Sequence, residues 1–97
     1  MKTAAYYIGK IQHYKELNAE KLGIQRIGIF GSVARGEQND QSDLDVFIDL
    51  KDADYFVLCN IHDDLEQLCG CKVDLVHLHR FLRPLLKKNI EKDAILA

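Results

Sequence analysis

The chain contains no tryptophan, a single proline and only three cysteines, and none of its apolar runs is long. Each scarcity removes a class of explanation. A membrane span needs roughly 20 consecutive apolar residues, and no such run occurs. The opening stretch MKTAAYYIGKIQHYKE interrupts its apolar residues too often to serve as the core of a secretory signal. A cytoplasmic protein without a membrane partner is expected. Cys59, Cys69 and Cys71 are odd in number, which argues against a disulfide framework. Joined to His77 and His79 they evoke zinc, but Cys-x-Cys and His-x-His lack the spacing of structural zinc sites. Ordinary thiols and strand-end histidines are the expectation. Charge of one sign is also scarce: the net value is −2. Bulk electrostatics therefore offer no pull toward nucleic acid, and DNA is not an expected partner.

What is present reads as one domain spanning residues 1–97, with 47% hydrophobic residues to build a core. Thr3 to Leu22 has helical spacing, with Ile8, Ile11, Leu17 and Leu22 as its apolar stripe and Gly23 as its stop. Ile24 to Phe30 is rich in isoleucine and reads as a strand. Asp43 to Leu50 alternates with period two and reads as a second strand. A helix follows, carrying Val57, Leu58, Ile61, Leu65 and Leu68, with Asp52 or Asp54 as its cap and Gly70 at its end. Lys72 to Leu78 reads as a third strand, and a last helix begins near Pro84, with a short strand in AILA at the end. This order predicts an α/β or α+β fold: a small mixed β-sheet with helices packed on one face.

The segment IFGSVARGEQNDQSDLDVFIDL concentrates the chemistry. Strand alternation puts Leu44, Val46 and Ile48 on one face and Asp43, Asp45, Phe47 and Asp49 on the other. Asp43 and Asp45 then stand about 6 to 7 Å apart along the strand. Neighbouring carboxylates repel unless a cation intervenes, and an all-oxygen ligand set suits Mg²⁺ or Mn²⁺ rather than zinc. Taken alone, the pair reads first as solvated surface charge. Asp74 shifts that balance: Val73 and Leu75 point away from it, and if this strand aligns with its neighbour, Asp74 projects onto the same face as Asp43 and Asp45. Three such carboxylates can hold two ions about 3.5 to 4 Å apart, the clamp used for phosphoryl displacement.

Gly31 and Ser32 follow a strand directly and open a short helical turn, where a backbone can approach an anion. On their own they are also a plain tight turn. The glycines fit neither a Walker loop, because Glu37 stands where lysine is needed, nor a dinucleotide fingerprint. Tyr6, Tyr7, Tyr14 and Tyr55 do not cluster into a base-stacking platform. The basic run LRPLLKKNIEK reads as a solvated helix face.

Gly31-Ser32, then Asp43-x-Asp45 on a strand, then Asp74 on a later strand, resembles the DNA polymerase β-like nucleotidyltransferase superfamily. Within it the chain looks like the minimal nucleotidyltransferases, the antitoxin halves of modules paired with HEPN-domain toxins, and the resemblance covers nearly the whole chain. It implies the polymerase β-like fold and an Mg²⁺-dependent enzyme, using two ions, that moves AMP from ATP to a tyrosine hydroxyl of the toxin. It further implies that Gly31 and Ser32 hold the β- and γ-phosphates, with Arg35 and Ser42 near enough to assist. Asp43 and Asp45 would bind both ions, and Asp74 the catalytic ion and the acceptor proton. Arg35 reads equally as the solvated end of a short helix. Two alternatives stay open. One is a binding antitoxin that needs no chemistry. The other is a nucleotidyltransferase for a small molecule or RNA end that borrows a separate acceptor subunit. Self-association or hetero-association is left undecided.

Overall fold

Isoleucine, leucine, valine and phenylalanine make up most of each described strand, and the sheet they form is the frame for everything else. The computed structural model describes residues 1–52 and 54–97. In chain order the elements are α1 (Ala4–Leu22), β1 (Ile24–Phe30), α2 (Gly31–Arg35), β2 (Leu44–Leu50), α3 (Tyr55–Cys69), β3 (Val73–His77), α4 (Pro84–Asp93) and β4 (Ile95–Leu96). The strands lie in the order β3-β2-β1-β4. β1 pairs antiparallel with both β2 and β4, while β2 and β3 run parallel, joined through α3. The sheet is mixed, as expected.

Local signals explain most element ends. Thr3 caps α1 by accepting from the Tyr6 N–H, and Asp54, one of the two expected candidates, caps α3 by accepting from Phe56 and Val57. Gly23 and Gly70 close these helices in the left-handed conformation that disfavours other residues. Pro84 occupies the first turn of α4, where its missing N–H costs nothing.

The core lies between the sheet and the pair α1 and α3. Ile27, Ile29, Leu44, Val46 and Ile48 are wholly buried there, against Ile11, Ile61 and Leu65. The expected stripe on α1 is corrected in one respect: Leu17 is 68% exposed, and Tyr7, Ile11 and Tyr14 form the buried line instead. Tyrosine can go inside because its hydroxyl is satisfied. Tyr14 Oη donates to Asp64 Oδ2 on α3 at 2.8 Å, and Tyr7 Oη accepts from the Lys2 N–H at 3.2 Å.

The layering also departs from the expectation of helices on one face. α4 lies across the opposite face, where Ile90 buries against Phe30 and Phe47. Phe47 is the reason, since a large apolar ring on the acidic side of β2 needs cover. Gly28, paired with Phe47 across the strands, makes room for it: a Cβ there would collide with the Phe47 ring and the Ile95 carbonyl. α4 covers one part of this face and leaves Asp43 and Asp74 exposed.

Replacing Tyr14 with phenylalanine removes the α1–α3 hydrogen bond and nothing else. Stability should fall by about 1 kcal/mol, read as a lower urea midpoint with an unchanged slope.

Candidate active site

β2 and β3 run parallel in a register that sets Leu44 opposite Val73 and Asp45 opposite Asp74. Paired residues in register project to the same face, so Asp45 and Asp74 are lateral neighbours on the side away from α1 and α3. Asp43 stands one residue ahead of β2 and is exposed; it belongs to the connecting loop rather than to the strand. Asp45 is partly buried and Asp74 exposed. Among the described residues, no hydrogen bond or ion pair from another side chain reaches these three carboxylates. Their oxygens do not all come within 4.8 Å of one another, unlike the ligand atoms of His62, Asp63 and Glu66 on α3.

The electrostatic consequence falls on Asp45. Burial, then the charges of Asp74 and Asp43, push its carboxyl from 3.8 up to about 6, against a smaller opposing pull from Arg35. Oxygen-only donors, mutually repelling and short of positive partners, are a donor set that fits hard divalent cations.

Gly31 closes the other side of Asp45. Its φ of +75° already favours glycine, and any Cβ would strike the Asp45 carboxylate. α2 starts here, and no side chain caps it, so the first backbone N–H groups of α2 are not claimed by one. Ser32 is the next residue, half-buried in α2. The structure thus brings Gly31, Ser32, Asp45 and Asp74 to one end of the sheet.

The remaining candidates have partners that local sequence did not suggest. Arg35 donates to Glu37 at 3.0 Å and to Asp93, at the end of α4, at 2.7 Å. Its charge still reaches Asp45. Ser42 closes the loop ahead of Asp43: its Oγ accepts from the Asn39 N–H, and its own N–H donates to the Asn39 carbonyl, both at 3.0 Å. A cleft of about 760 Å³ opens beside this loop, lined among others by Tyr6, Ser42, Asp43 and Lys72. His77 sits three residues along β3 from Asp74, roughly 10 Å away, beyond direct reach of the carboxylates. Cys59, Cys69 and Cys71 are all free thiols. Among the described residues, no helix is long and apolar enough to cross a membrane.

A parallel strand pair carrying acidic residues in register beside a glycine-led helical turn is the architecture of a nucleotidyltransferase. Residues 10–96 match the family described as polymerase beta, nucleotidyltransferase, and the chain belongs to that family. It is 38% identical over 96 residues to MJ0128 of Methanocaldococcus jannaschii, provisionally named a protein adenylyltransferase, covering 98% of each chain. It is 36% identical over 84 residues to the protein adenylyltransferase MntA of Thermococcus cleftensis, covering 86% of this chain and 79% of that one. Among solved structures, a toxin-antitoxin with AMP-PNP superposes with a TM-score of 0.74 at 26% identity, covering 91% of this chain and 69% of that chain.

The raised carboxyl of Asp45 has a definite sign for stability. A raised value means that the folded state holds the proton more tightly, so this contribution is complete below 3.8 and is lost as pH rises through about 6. Metal-free wild-type protein should therefore lose about 2 kcal/mol relative to Asp45→Asn between about pH 4 and about pH 7. Thermal melts of both proteins in chelator measure this difference, and saturating Mg²⁺ should reduce or reverse it at neutral pH.

Proposed function

We propose that the protein is an antitoxin that transfers AMP from magnesium-bound ATP to a tyrosine hydroxyl of a partner HEPN-domain toxin. One observation carries the reading above the others: Asp45 and Asp74 occupy paired positions on parallel strands. Their crowding, with Asp43, helps to lift Asp45 to about 6. The relatives support the reaction and the setting, since MntA is named a protein adenylyltransferase and a similar solved structure is a toxin-antitoxin holding AMP-PNP.

Bound divalent cations, two Mg²⁺ or in their place Mn²⁺, would neutralise the triphosphate and favour ionisation of the acceptor hydroxyl. The chain's own residues then position the reactants. Gly31 and Ser32 hold the β- and γ-phosphates through backbone N–H groups and the serine hydroxyl. Arg35 adds positive charge from α2, and Ser42 orders the loop that delivers Asp43. Asp43 and Asp45 would hold both ions and Asp74 the catalytic one, and Asp74 helps to take the proton of the acceptor hydroxyl. The tyrosine oxygen bonds to the α-phosphorus as the bond to the bridging oxygen breaks, and pyrophosphate leaves. The work is mostly alignment and charge compensation.

Incubation with α-labelled ATP, Mg²⁺ and the co-encoded partner tests this. Label should appear on the partner and fall at least about 100-fold for Asp43→Asn and for Asp45→Asn. Neutralisation that survives both substitutions would show that contact alone silences the partner. Label on an RNA end or a small molecule would overturn the protein acceptor.

A further inference from the structure

Among the described residues β3 is an edge strand, with β2 on one side only. The Leu44 N–H donates to the Lys72 carbonyl at 2.8 Å. By the alternation of a parallel ladder, the polar groups of Val73 then point away from β2, toward the open edge. Both are taken up by α3. Val73 N–H donates to Glu66 Oε2 at 2.9 Å, and His62 Nε2 lies 2.9 Å from the Val73 carbonyl. A carbonyl only accepts, so Nε2 carries the proton. His62 and Glu66 are one helical turn apart, 3.5 Å between Nε2 and Oε2, and Asp63 lies 3.2 Å from Nδ1. This group could be taken for a metal site, but its Nε2 is already occupied as a donor to backbone. It behaves as a substitute strand, satisfying one residue of an edge that would otherwise fray.

That residue is the one before Asp74. The Asp74 side chain is exposed, so the backbone must set its place, and Val73 is where the backbone is gripped. Leu44, which grips Lys72 from the other side, lies between Asp43 and Asp45. We propose that His62 and Glu66 are positioning residues for nucleotidyl transfer, clamping the start of β3 so that Asp74 faces Asp45. The proposal rests on the carboxylate site being the active site. Asp74 deals with the acceptor side of the reaction, while the triphosphate is held elsewhere, so loosening β3 should damage turnover and spare nucleotide binding. Misplacement of a reacting group by about 1 Å can cost about 100-fold.

The test uses His62→Ala, Glu66→Ala, His62→Gln and Glu66→Gln in the full chain with its partner. Glutamine at 62 can still donate to the Val73 carbonyl, and at 66 it can still accept from the Val73 N–H. The alanine variants should lower kcat for AMP transfer by about 10- to 100-fold, with KM for ATP kept within about twofold. The glutamine variants should recover most of the loss. Independently of activity, amide exchange at Val73 and Asp74 should quicken in the alanine variants, with Val46 in the core unchanged. Unchanged kcat in the alanine variants overturns the proposal, as does a loss that only follows the unfolded fraction or that glutamine does not restore. Failure of the wild type to label its partner overturns the transfer reading instead, and the exchange rates at Val73 and Asp74 then decide whether the clamp exists.

Discussion

Two carboxylates side by side on neighbouring strands are the constraint from which the rest of the molecule follows. Asp45 and Asp74 are register partners, and their repulsion works against the pairing that brings them together. The opposite face supplies the stabilisation that holds them. Leu44, Val46 and Ile48 alternate with the acidic positions and are wholly buried beneath α1 and α3. Burial of side chains of this size contributes about 1.5 to 3 kcal/mol each, enough to keep an unfavourable pair of charges in place. One strand thus does two jobs, with its inner residues holding the fold and its outer residues gathering like charge on one face.

The acidic face is itself divided. At one end Phe47 and Phe30 are sealed by Ile90 of α4. At the other, Gly31 leaves room for the Asp45 carboxylate that no side chain could leave. Arg35 joins the two regions, since the guanidinium that pairs with Asp93 at the end of α4 also lowers the cost of ionising Asp45. Placement of α4 and charge balance in the site are therefore linked through one residue.

Much of this was legible from residue order, and the rest was not, for a physical reason. Period-two alternation in LDVFIDL assigned each side chain to its face, and the apolar flanks of Asp74 did the same for β3. Caps and stops such as Asp54, Gly23 and Gly70 are local signals and were readable. Long-range partners left no such signal. Nothing near Phe47 shows that a helix some forty residues later will cover it, which is why helices were expected on one face only. Tyr14 reaches Asp64, Arg35 reaches Asp93, and His62 with Glu66 reaches Val73. Each is a contact that only the folded chain creates. The i and i+4 spacing of His62 and Glu66 was visible on α3, but not that both would turn to the backbone of the adjoining strand.

The most direct test is the binding of Mn²⁺ in the presence of a non-hydrolysable ATP analogue, followed by the loss of its free-ion paramagnetic signal. Wild-type protein should take up the ion together with the nucleotide, and Asp45→Asn should lose that uptake while remaining folded. Equal Mn²⁺ uptake by the two proteins would contradict a cation site built on these carboxylates.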